Sequence, residues 1–275
     1  MAKPEARVSP VRATRYDRVA VLTGLGGVSA AAWIYLVVDG RHFMAGMSGR
    51  SMSAMAPAMQ SMTQLRPWSA GEFGLVLEMW AVMMVAMMVP TAATMTLVYA
   101  AVARKAARQA SPVAPTYVFA AVYVAMWVLF SLAATAAQDG LAHLALLSSA
   151  MVSASPMLGG ALLIGAGVYQ LTPLKNVCLT QCRAPATFIA QHWRGGFTGA
   201  FRMGIDYGIY CLGCCWILMA LLFVGGVMNL VWIAAIAVFI LFEKTLPFAR
   251  FGGRVIGGAM IIAGLMSVTG LATIG

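Results

Sequence analysis

Long apolar runs with almost no charge constrain this chain more than any other feature. Seven occur: Val19–Val38, Leu75–Val102, Tyr117–Ala137, Met157–Leu174, Gly204–Val224, Val227–Phe242 and Val255–Thr273. A hydrocarbon core of about 30 Å takes about 20 helical residues to cross, and these runs are close to that length. In lipid every backbone amide needs a partner within the protein, so such runs must be helical. The alternating pattern of barrel strands is absent. Only 9% of residues are Asp, Glu, Lys or Arg, against roughly 25% in a soluble domain. The expected fold is all-α, a polytopic transmembrane helical bundle of about seven spans.

The basic residues orient it. With the N-terminus cytoplasmic, the inner segments hold Lys3, Arg7, Arg12, Arg15, Arg18, Arg104, Lys105, Arg108, Lys175, Arg183, Arg194, Arg202, Lys244, Arg250 and Arg254, while Arg41, Arg50 and Arg66 fall outside. That asymmetry places the C-terminus outside and predicts a multi-pass protein of a bacterial-type inner (plasma) membrane. The net charge of +10 is then an orientation signal with some attraction to anionic lipid. Nucleic acid is not an expected partner, because no folded basic platform exists to bind it. The expected organisation is a basic cytoplasmic segment (1–18), a first anchor (19–38), a Met-rich outer loop (39–74) and a six-span membrane domain (75–275). Eighteen residues ahead of a full-length run favour an uncleaved anchor over a signal peptide.

Methionine is clustered. The outer loop places Met44, Met47, Met52, Met55, Met59 and Met62 beside His42, and the second run carries Met79, Met83, Met84, Met87 and Met88. Thioether sulfur is a soft ligand suited to Cu(I). Methionine is also an adaptable core filler, and Met52, Met55, Met59 and Met62 would share one face of an interfacial helix. Both roles stay open for the loop; within the second run packing is the commoner role for any single Met.

All five cysteines fall within 178–215: Cys178-x-x-x-Cys182, then Cys211-x-x-Cys214-Cys215. On a helix the last three share one face. Gly204 and Gly208 extend that face and would admit a close neighbour, for which the fourth span with Cys178 and Cys182 is the expected partner. A reducing inner side disfavours disulfides. A zinc ribbon needs paired knuckles in a soluble fold, and the spacing matches no familiar iron–sulfur pattern. Cu(I) on two or three thiolates fits best by softness; the alternative is cysteine as a small buried hydrophobe.

Polar residues within the spans carry their own expectations. Tyr169 and Gln170 precede Thr172-Pro173, where the proline bends or ends the helix. Asp206 and the Glu243-Lys244 pair sit at inner ends, where snorkelling is the ordinary role. His143 and His192 are read as interfacial.

The strings WAVMMVAMMVP, YQLTPLKNVCLTQCRAP, GIDYGIYCLGCCWILM and the closing FEK, within Leu75–Val255, resemble the predicted metal-binding integral membrane protein family. That family is a domain of unknown function often labelled a copper chaperone. The resemblance implies ligands at Cys178, Cys182, Cys211, Cys214 and Cys215 and at Met83-Met84 and Met87-Met88. Asp206-Tyr207 departs from the family pattern.

Three functions follow as expectations. The first is a Cu(I)-binding membrane protein for copper acquisition, buffering or delivery, with a copper donor or acceptor protein as partner. The second is an accessory subunit of a larger membrane complex such as a copper-dependent oxidase or oxygenase, in which small residues serve as helix contacts. The third is an enzyme, and it is the weakest: no nucleophile–base pair, carboxylate pair or histidine metal site is present, though thiol chemistry with a quinone stays open.

Overall fold

The computed structural model describes residues 15–48, 68–144, 155–246 and 249–271, with the side chains of 17, 42–48 and 249–250 outside that description. The elements are α1 (Arg15–Ser48), α2 (Ala70–Arg108), α3 (Thr116–His143), α4 (Pro156–Leu171), α5 (Pro173–Arg183), α6 (Pro185–His192), α7 (Gly196–Ala220), the single turn α8 (Leu222–Gly225), α9 (Leu230–Thr245) and α10 (Ala249–Val268). Their lengths are as uneven as the seven apolar runs, and fewer than seven segments reach full membrane length. Among the described residues five segments are long and apolar enough to cross a membrane: Arg18–Arg41, Ala70–Arg108, Thr116–His143, Gly196–Gly225 and Phe251–Val268. The bent pair α4–α5 makes a sixth if taken as one span. The remaining run forms α9, whose 16 residues extend only about 24 Å. It starts at Leu230 rather than Val227 because Asn229 caps it, accepting from the amides of Val231 and Trp232 at 3.1 and 3.2 Å.

Helix α1 also departs from expectation, continuing past Asp39 to Ser48 where a loop was expected. His42, Met44 and Met47 therefore have helical backbone, and their side chains lie outside the described ones. The remaining loop methionines lie outside the described residues altogether. Helix α2 begins earlier than its apolar run, because Ser69 and Glu72 form a reciprocal capping box. Inside α2, Pro90 lacks an N–H and so leaves the Ala86 carbonyl without its intrahelical donor. Ser29 Oγ and Trp33 Nε1 of α1 both donate to that carbonyl at 3.2 Å. The defect in one helix is thus the docking point of the next.

Successive long elements alternate in direction. At one end Gly40 meets Leu230, Trp80 Nε1 donates to Gln138 at 2.6 Å and Trp80 packs on Phe223. At the other, Arg104 lies over the Tyr16 ring and Gly196 N donates to Pro112 O. Glycines set two of the helix crossings. Gly160 and Gly167 of α4 face Gly264 and Gly257 of α10 so closely that a Cβ on any of them would strike the opposite helix. Gly204 and Gly208 of α7 receive Val122 and Met126 of α3, so the neighbour they admit is α3, not the fourth span.

The break between α4 and α5 is built from one threonine. Thr172 precedes a proline, which excludes it from helical geometry, and it sits extended at φ −71°, ψ 148°. Its hydroxyl donates to Tyr169 O at 2.7 Å and accepts from Lys175 N at 3.3 Å. One side chain therefore closes α4 and opens α5, and the axis turns by 65°.

Candidate metal centre

That turn lays α5 across α7. Gly213 offers no side chain there, and Cys178 fills the space: a Cβ on Gly213 would lie 2.7 Å from Cys178 Sγ. One helical turn on, Cys182 Sγ lies 3.9 Å from Cys214 Sγ, which is itself 3.3 Å from Cys215 Sγ. Cys211 lies one turn before Cys214 and Cys215 on the same face of α7. All five cysteines are free thiols, four buried and Cys178 half-buried. Two sulfurs bonded to one soft ion at about 2.3 Å each stand at most about 4.6 Å apart, so both sulfur–sulfur spacings suit a shared ion. The donors form a row: among the described residues no three or more Cys, His, Asp or Glu side chains surround one point. The helix disposes of part of their hydrogen-bonding capacity, since Cys214 and Cys215 both donate to the Cys211 carbonyl, at 3.1 and 2.9 Å.

The row has polar neighbours that sequence reasoning placed elsewhere. Lys244 is buried, and its Nζ donates to Cys211 Sγ at 2.8 Å and Thr91 Oγ1 at 3.2 Å. Its neighbour Glu243 turns the other way and pairs with Lys175 at 2.6 Å, both side chains being almost wholly enclosed. Gln170 joins them, donating to Glu243 Oε1 at 2.7 Å and accepting from Lys175 Nζ. Arg183 Nε donates to the Glu243 carbonyl at 2.6 Å. The expectation that Glu243 and Lys244 snorkel from a helix end is therefore corrected: in the last turn of α9 these two side chains are buried while Phe242 and Thr245 on either side are exposed, and consecutive residues project about 100° apart to serve two different clusters. Lys175 likewise belongs to the interior.

Tyr123 is the other residue missed. Its hydroxyl lies 3.1 Å from Cys211 Sγ and donates to Met88 O at 3.3 Å, so the methionine helix and the sulfur row meet at one phenol. Met83, Met84, Met87 and Met88 are all buried at 2% exposure or less, within the same core as the thiols. Tyr169 donates to Gly213 O, pinning the end of α4 to α7. The two histidines with described side chains stand apart: His143 Nε2 is 3.4 Å from Asp139 on its own helix, and His192 stacks on Phe188.

The residues of this centre, carried on α2 to α9, lie within the stretch that matches known sequences. No curated protein and no solved structure matches the chain. The family model described as PpoB2, copper chaperone, matches residues 77–267 and takes in every thiol, the methionines of α2 and Lys244. With most of its length matched, including every element around the buried sulfurs, the chain belongs to this copper-chaperone family.

Proposed function

We propose that the chain carries Cu(I) as cargo in a bacterial-type inner membrane, acquiring it, buffering it or delivering it to a partner protein. The observation that carries this reading is the buried row Cys182–Cys214–Cys215 with Cys211 beside it. Soft sulfur without a carboxylate or histidine among the donors discriminates against hard cations. Oriented with the N-terminus cytoplasmic, His42, Met44 and Met47 collect the ion from outside. Met83, Met84, Met87 and Met88 relay it, and the thiols hold it more tightly than thioethers do. Cys178, half-buried, is the outermost of the thiols. A row serves transfer better than a cage, because an ion can be passed from one sulfur pair to the next without leaving soft ligands.

The test is copper content. Full-length protein purified in detergent under reducing conditions should carry about one Cu(I) per chain. A Cys182→Ser/Cys214→Ser variant should lose most of it while eluting as the wild type does. Equal copper in both would sink the reading.

One observation favours the accessory-subunit alternative. Gly24, Gly26 and Gly27 on α1 have no atoms within 4 Å of where a Cβ would stand, and small residues of this kind suit contact with another helix in lipid. Recovery of a stoichiometric membrane partner from native extracts, lost when Gly27 is made leucine, would decide for it.

A further inference from the structure

Lys244 is the one charge of the sulfur centre whose electrostatic partner is a thiol. Its Nζ lies 2.8 Å from Cys211 Sγ, and its other polar contact is the Thr91 hydroxyl. The nearby charges are already committed, Glu243 to Lys175 and Gln170. An ammonium taken out of water is costly unless it is balanced, so a lysine kept at 7% exposure against sulfur requires an explanation beyond packing.

We infer that Lys244 is the built-in counter-cation of the metal centre and selects a monovalent soft ion over divalent ones. The inference rests on the Cu(I) reading above. The sulfurs lie in a row, so an ion meets a pair of them at a time. Two thiolates and one Cu(I) sum to a charge of minus one. That charge is unfavourable in a low-dielectric interior, and the Lys244 ammonium cancels it to zero. Two thiolates and a divalent ion are neutral already, so with Lys244 present they leave plus one. The same lysine that stabilises bound Cu(I) therefore opposes Zn(II) or Cd(II). Zinc is further disfavoured because a structural site for it needs four donors in a tetrahedron. Lys244 is a specificity-determining residue and need not touch the ion.

The experiment uses full-length protein in detergent under reducing conditions. Cu(I) affinity is read by competition with a chromogenic Cu(I) chelator, and Cd(II) affinity by thiolate-to-metal absorbance. Lys244→Gln keeps a donor for Thr91 and Cys211 but no charge; Lys244→Arg keeps the charge. The expected result for Lys244→Gln is a loss of Cu(I) affinity of at least about tenfold with Cd(II) affinity unchanged or raised. Lys244→Arg should preserve the wild-type preference. Lys244→Met, judged by the same crossover, stands in if the glutamine variant does not fold. Unchanged Cu(I) affinity in the neutral variants overturns the inference, and so does an equal loss of both ions, which marks a purely structural lysine. A wild-type protein that binds no Cu(I) overturns the functional reading and this one together, and is told apart by the wild-type measurement alone.

Discussion

A missing side chain at Gly213 lets α5 close on α7. A methyl there would meet Cys178 Sγ at 2.7 Å, inside normal contact. Gly213→Ala should therefore push α5 away, separate Cys182 from Cys214 and weaken Cu(I) binding about tenfold, since overpacking costs about 1–3 kcal/mol. Gly213→Ala in a Cys178→Ala background should bind as Cys178→Ala alone does, because the clashing sulfur is gone. Chelator competition across the four proteins checks this, and an undiminished single variant would contradict it. The thiols themselves were legible in the sequence because nothing else in the chain competes with them: five cysteines within 178–215 and none elsewhere. Lys244 was not. A lysine beside a glutamate at a helix end reads the same whether it reaches water or a thiol. What decides is the roll of α9 against α2 and α7, a long-range fact. Tyr123 was hidden for the same reason, being one aromatic among many until Gly204 and Gly208 bring α3 onto α7.

At the scale of elements, the contact between α1 and α2 depends on a proline. Ser29→Ala leaves the Ala86 carbonyl with Trp33 alone and should destabilise the protein by about 1 kcal/mol. In a Pro90→Ala background the carbonyl regains an amide from its own helix, so the same substitution should cost close to nothing. A double-mutant cycle of thermal unfolding in detergent measures the difference, and equal costs in the two backgrounds would show that the proline plays no part. Hydropathy located the apolar runs well but not their ends, because ends are set by hydrogen-bond chemistry. Ser69-x-x-Glu72 starts α2 ahead of Leu75, and Asn229 starts α9 after Val227. The break at Thr172-Pro173 was legible because the constraint of a proline on its neighbour is local. The partner of the Gly204–Gly208 face was not, since a small-residue face says that a helix approaches and not which one.

At the scale of the whole molecule, α4, α5 and α9 are tied by Lys175, Glu243 and Gln170. Glu243→Gln strands a buried ammonium and should cost about 3–5 kcal/mol, whereas replacing both Lys175 and Glu243 by methionine should be nearly neutral. Unfolding temperatures of the single and double variants test this; a double variant as weak as the single would mean the pair does more than balance itself. The all-helical class, with segments long and apolar enough to cross a membrane, was legible from composition. The short run Val227–Phe242 and the break at Pro173 were legible too, but not that both short helices meet at one buried polar knot, which is a long-range fact. Their shortness matters for how the protein meets its surroundings. Helices α4 and α9 each have 16 residues, fall roughly 6 Å short of a typical hydrocarbon core, and end at the same buried polar knot. Lipid beside a short hydrophobic flank thins to match it. A bilayer around this fold would thin on the flank where α4 and α9 lie, bringing the headgroups closer to the knot of Lys175, Glu243 and Gln170.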